Sequence, residues 1–260
     1  MCSPPCRPRS KPRSTSLSRR GAAAFISGLG VPAGIIGRLK AAGLKVMNVC
    51  GTVRHAVSGA AAGLDAVIAQ GTEAGGHTGK VAGMALIPQI VDAVDIPVIA
   101  AGAIVDGRGL AAALALGAQG VWMGTRFIAS QEAHAGDLYK QVILDADETD
   151  TIVTRCYSGK PMRVYRNDYV AEWETRPADI QPFPAQAMLS HRSRVMGGIA
   201  GQIEDLDRDR SCFAMGQGAG AIKDVPSCRE IVERGNGRSG SGAGASGHAR
   251  RVRAALATGH

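Results

Sequence analysis

Apolar residues in this chain gather into short runs, separated at nearly even spacing by amphipathic stretches. Ala22–Leu29, Lys45–Cys50, Asp65–Gln70, Pro97–Ala103 and Gly120–Ile128 are near-continuous apolar segments with glycine or proline close to their ends. Runs of that length suit strands buried on both faces, as in a parallel sheet. Helical signals fall between them. Pro32 opens a helix through about Ala42 that stops at Gly43, and Thr52 caps another to about Ala62 that stops at Gly63. A third runs from about Pro88 to Val94 after a long loop, a fourth over Gly107–Leu116 ahead of Gly117, and a fifth over Glu132–Leu144. The repeat is a series of βα units, which makes a parallel sheet with helices packed on it.

Two architectures suit five such units, an open doubly wound sheet and a (β/α)8 barrel, the latter requiring eight. Beyond Leu144 the period is lost. Thr151–Tyr157 suits one more strand, Arg163–Pro184 irregular cover, Ala185–Met196 a helix and Ser227–Glu233 a short one. Residues 1–20, rich in Pro, Ser and Arg, and residues 235–260, rich in Gly, Ser, Ala and Arg, are expected to be disordered tails around one domain over 21–234.

Charge changes little once it is located. The net +8 rests on six Lys/Arg in residues 1–20 and five in residues 234–260, and removing those eleven leaves −3 for residues 21–233. A nucleic-acid-binding body carries its own basic face with stacking aromatics, and aromatics here are 4% of the chain, so no specific nucleic-acid partner is expected. The six cysteines are scattered without a CxxC, which points to a reducing, cytoplasmic setting. No apolar run approaches the ~18–20 residues of a membrane span. The leader lacks a secretory apolar core. Its Arg/Ser content loosely matches a mitochondrial transit peptide, but four prolines in the first twelve residues break the helix such a peptide needs.

Candidate chemistry lies where the apolar runs end. Ala66–Gln70 leads into Gly71-Thr-Glu-Ala-Gly-Gly-His-Thr-Gly79, a glycine-rich loop holding one Glu and one His. Its glycines admit close approach of a ligand, and His77 exchanges a proton near neutrality. Glu73 either orients His77 or caps a following turn. A second group is Ala100-Ala-Gly-Ala-Ile104 with Met123-Gly-Thr-Arg-Phe127. Small residues at adjacent strand ends expose backbone N–H groups. With the dipole of the helix after Ile104, the Thr125 hydroxyl and the Arg126 charge, they suit a phosphate. The bland reading of the same residues is close strand–helix packing. No G-x-G-x-x-G follows a strand, so a Rossmann site is not indicated. His55, Arg54, His134, His191 and Arg192 suit surface positions. Met84, Met123, Met188, Met196 and Met215 suit core or gap filling, and nothing suggests a metal site.

Four segments, Gln70–Gly79, Ile96–Gly102, Asp106–Ala118 and Gly120–Phe127, together with Gly216-Gln-Gly-Ala-Gly220, resemble the nitronate monooxygenase family, formerly the 2-nitropropane dioxygenases. FMN-dependent enoyl-ACP reductases are its close relatives. The resemblance implies an oxidoreductase flavoprotein with a (β/α)8 TIM-barrel fold and FMN at the carboxyl ends of the strands. The implied reaction turns an alkyl nitronate or nitroalkane and O2 into a carbonyl compound and nitrite, with an oligomer allowed. His77 matches the catalytic base, Gln70 and Gly75 the flavin contacts, and Gly102, Ala103, Gly124 and Thr125 the phosphate grip. The alternatives are an FMN-dependent NAD(P)H enoyl-ACP or quinone reductase, and a non-catalytic fragment.

Two departures from the family pattern stand out. Ala103 replaces a glycine, harmlessly if its φ is negative and at about 1 kcal/mol or more if it is positive. The family's opening strands, with a proline- and methionine-containing flavin segment and an asparagine-containing strand, find no match. The five units then correspond to about strands 4–8 of a partial, N-terminally truncated barrel that binds FMN weakly or not at all and exposes apolar strand edges. The other possibility is a barrel completed by another chain.

Overall fold

The computed structural model describes residues 21–28, 30, 33–197 and 204–237. The expectations for residues 1–20 and for the tail beyond Gly237 lie outside the described residues.

The five apolar runs form one parallel sheet. Its strands are β1 (Ala24–Ser27), β2 (Lys45–Cys50), β3 (Ala66–Gln70), β5 (Val98–Ala101) and β6 (Gly120–Trp122), side by side in that order. A register such as Met47 beside Ala66 and Ile68 beside Ile99 assigns every residue to a face. Val46, Cys50, Val67, Ala69, Val98 and Ala100 share one face. On it they pack against Ile36 and Leu39 of α1 (Ala33–Ala41), Ala56 of α2 (Val53–Ala61), Leu86 and Ile90 of α3 (Gly83–Ala93), and Ala113 of α4 (Gly107–Ala115). Helices on one face and strands in strict sequential order mark a barrel-type βα series. A doubly wound sheet reverses its strand order and carries helices on both faces.

Thr52 caps α2 as expected, its hydroxyl accepting from the His55 N–H at 3.3 Å. Helix α3 differs from expectation. It begins five residues before Pro88, because both carboxylate oxygens of Glu73 accept from the Gly83 N–H at 2.9 Å and fix its first turn. Pro88 then sits inside the helix, where the bond it cannot donate would have gone to Met84, in the exposed first turn. The run Gly120–Ile128 also divides. The strand ends at Trp122, and Thr125–Ile128 winds into a single turn, α5, after Gly124.

The largest correction concerns residues beyond 144. After α6 (Asp137–Asp145), Thr151–Thr154 (β7) does not extend the parallel sheet. It pairs antiparallel with β8 (Met162–Tyr165), which pairs in turn with the two-residue strand β4 (Gly76–His77). The stretch expected to be irregular cover holds β8, then α7 (Asp168–Glu174), capped by Asn167 through the Val170 N–H, and a 3-10 turn at Pro177–Asp179. The predicted helix from Ala185 shortens to α8 (Ala185–Arg192). The last helix, α9 (Cys228–Gly235), starts in a capping box between Ser227 and Glu230. Met215 is buried as expected, whereas Met84 and Met188 are exposed rather than core. His55, Arg54, His191 and Arg192 lie on the surface.

Candidate active site

The carboxyl ends of β3, β5 and β6 open onto one cavity of about 420 Å³. Gln70, Gly75, Gly102, Ala103, Gly124 and Thr125 all line it, so the structure brings together six residues from three segments of the chain. Gln70 ends the central strand β3, whose four preceding residues are fully buried. Gly75 and Gly216, which also line the cavity, come from two further loops. A Cβ on Gly75 would stand 2.7 Å from the Met215 backbone, and one on Gly216 would stand 2.7 Å from the Glu73 carbonyl. Two loops therefore touch backbone to backbone, locked by Gln217 N–H donating to the Glu73 carbonyl, and Gly216 N–H donates to Oγ1 of Thr125 in α5.

At the strand ends where a phosphate grip was expected, part of the backbone is without partners and part of the expected set is engaged elsewhere. Among the described residues, the N–H groups of Gly102, Ala103 and Gly124 donate to nothing. A Cβ built on Gly124 meets nothing within 4 Å, so a space faces this backbone that a side chain would fill. Three expected contributors are engaged elsewhere. The N-terminus of α4 is taken by Asp106, whose carboxylate accepts from the N–H groups of Arg108 and Gly109. Arg126 is buried and turned to Asp224 (2.9 Å) and to the carbonyls of Ala129 and Asp224. Glu73 serves α3 rather than His77. Ala103 adopts φ +52°, the left-handed region where its methyl is strained.

His77 follows Gly76, which lines the cavity, but the imidazole itself is not part of the lining. It is half-buried on β4, and its Nε2 lies 2.9 Å from Ser158 Oγ. Burial, and secondly the charge of Lys160, hold its pKa below the ordinary histidine value. The strand is held from behind by Arg163, which is buried and donates to the Thr72 carbonyl (2.9 Å) and to Thr151 Oγ (3.0 Å). A serine beside a histidine suggests a nucleophile–base pair, but Ser158 is 2% exposed and unable to meet a substrate.

Sequence reasoning missed Trp122, His134 and Tyr139 on the cavity wall, and Ser158 beside His77. His134 is exposed, as expected, and also borders the cavity. Ser158 sits in a Ser-Gly turn with no local pattern of its own. No group of three or more His, Cys, Asp or Glu residues able to hold a metal occurs among the described residues, nor does any helix there have the length and apolarity to cross a membrane.

Helices packed on one face and sequential parallel strands, with a cavity at the strands' carboxyl ends, define a βα-barrel-type protein. Residues 11–234 match the family model for nitronate monooxygenase, and the chain belongs to that family. A probable nitronate monooxygenase of Staphylococcus aureus (strain Newman) is 43% identical over 180 residues, which cover 65% of this chain and 51% of the relative. The chain thus spans about half the length of the curated relatives it matches. Among solved structures, the nitroalkane oxidase of Streptomyces ansochromogenes superposes with a TM-score of 0.78 at 30% identity, covering 94% of this chain and 69% of that one. FabK from Thermotoga maritima gives 0.77 at 36% identity, covering 86% and 70%.

Proposed function

We propose that this chain is an FMN-dependent oxidoreductase that converts alkyl nitronates or nitroalkanes, with O2, to carbonyl compounds and nitrite. The observation that carries the reading is the cavity at the strand ends, which pairs unpartnered N–H groups on Gly102, Ala103 and Gly124 with open space in front of Gly124. Such a surface suits a phosphoryl group, and the volume lies within the range of small-molecule and cofactor sites. Gln70 and Gly75 would hold the ring system, and Gly102, Ala103, Gly124 and Thr125 the phosphate. FMN, when bound, supplies electron-transfer chemistry that side chains lack. His77, kept neutral by burial, removes the α-proton of a neutral nitroalkane. The C–H bond breaks, its electron pair moves onto the nitro group and the proton moves to the imidazole.

Trp122 lines the same cavity, whereas Trp173 belongs to a separate apolar cluster. FMN added to the protein is expected to quench Trp122 emission, most cleanly in Trp173→Phe. Gly124→Val, at φ −107° with nothing near its Cβ, is expected to fold normally and lose at least about tenfold in FMN affinity by filling the cradle. Absence of quenching, or unchanged affinity in Gly124→Val, overturns the reading. The likeness to FabK keeps a second reading, NAD(P)H-dependent reduction at the same cavity. Rapid anaerobic bleaching of the flavin by NADPH favours that one.

A further inference from the structure

We propose that Ser158 is a positioning residue that holds His77 as the Nε2–H tautomer and so makes Nδ1 the proton-accepting nitrogen; its link to turnover rests on the function proposed above. The argument is an inventory of protons around one hydroxyl. Ser158 Oγ has three polar neighbours: the Lys160 N–H at 3.2 Å, the Lys160 carbonyl at 3.2 Å and His77 Nε2 at 2.9 Å. A hydroxyl offers one proton and two lone pairs. The amide can only donate and the carbonyl can only accept. All three contacts are hydrogen bonds only if the hydroxyl proton goes to the carbonyl and Nε2 carries a hydrogen that it donates to Oγ. The opposite tautomer leaves the Lys160 carbonyl without a partner among the described residues. It also spends the hydroxyl proton on the nitrogen that a base needs bare.

The surrounding turn is built to keep this arrangement. Gly159 sits at φ +81°, where a Cβ would stand 2.5 Å from the Gln181 carbonyl, so the Ser158–Lys160 turn has little freedom. Thr78 N–H donates to the Pro161 carbonyl, and Gly76–His77 pairs with Met162–Arg163. The histidine strand and the serine turn therefore form one rigid unit. Among the described residues Nδ1 has no partner. The second nitrogen of a functional histidine is commonly set by the hydrogen bond its first nitrogen makes.

Long-range 1H–15N correlation spectra of the 15N-histidine-labelled full chain, at a pH where His77 is neutral, read the tautomer without cofactor or substrate, with His77→Gln assigning the signal. The expected pattern is Nε2–H, collapsing to a mixture in Ser158→Ala. An Nδ1–H pattern in the unsubstituted protein overturns the proposal even if Ser158→Ala fails to fold. With FMN bound, Ser158→Ala is expected to lower kcat/KM for a neutral nitroalkane by roughly 10- to 100-fold, the scale on which an orienting partner acts. Turnover of the preformed nitronate, which needs no proton removed, should change by less than about threefold. Equal losses on both substrates overturn the positioning role. Failure to bind FMN counts against the proposed function alone and leaves the tautomer result standing.

Discussion

At the scale of single residues, two positions carry testable energetics. Ala103 occupies a left-handed backbone conformation that costs an L-residue about 1–2 kcal/mol, partly offset because glycine loses more entropy on folding. Ala103→Gly is expected to stabilise the protein by about 0.5–1 kcal/mol, seen as a rise in Tm of roughly 1–4 °C in a thermal melt. A fall in Tm would mean that the strain is absent. His77 is held below its ordinary value by burial, and secondly by Lys160, so the folded protein resists protonating it more than the unfolded chain does. Its contribution to stability is full above the unfolded value near 6.5 and declines as pH falls below it. Proton removal from a nitroalkane should likewise stay constant through neutral pH and fall only below that value, in a kcat/KM profile that His77→Ala abolishes. An activity that already falls between pH 8 and 7 would contradict the depressed pKa. The family resemblance marked His77 and Ala103, but the sign of φ at Ala103 was invisible, because it depends on how β5 hands the chain to α4.

At the scale of elements, Glu73 shows how one side chain relocates a helix. Sequence periodicity placed the start of the third helix at Pro88, the residue favoured in a first turn. The structure starts it at Gly83, where a carboxylate ten residues upstream accepts from the first free N–H. That contact joins the loop carrying His77 to the helix behind it. Glu73→Ala is expected to cost about 1–2 kcal/mol, the usual scale for a lost cap, with the urea midpoint falling and the m-value unchanged. A neutral outcome would show that water replaces the carboxylate. Of the antiparallel unit β4–β8–β7, the sequence showed only β7, as the strand expected over Thr151–Tyr157, and β4, β8 and the pairing were not legible for a related reason. Each of its strands has four residues or fewer, and β4 has two, so no alternation develops. These strands exist because Gly76–His77 and Met162–Arg163 meet in space.

At the scale of the whole molecule, the helices of the βα units pack, among the described residues, on one face of the sheet. On the other, Ile68 of the central strand is buried and Met47, Val49 and Ile99 are half-buried, while Ile26 at the β1 edge and Trp122 at the β6 edge are 36% and 45% exposed. Exposed apolar strand edges were expected from the sequence and are what the structure holds. Trp122 emission should be red-shifted toward that of solvated indole, and the protein should bind an apolar dye such as ANS until FMN is added. A blue-shifted Trp122 would show that this face is covered in solution. The sequence by itself determined the βα repeat, the five parallel strands, several helix caps and the glycine-rich segments bound for one end of the sheet. All of these follow from local propensity and from the period of apolar residues, which act over a few turns of chain. Only the tertiary structure decided that Arg126 serves Asp224 rather than the cavity, that Glu73 serves a helix, and that Ser158, eighty-one residues away in the chain, meets His77. Those outcomes depend on which buried polar group finds a partner across distant segments, and no local pattern encodes that.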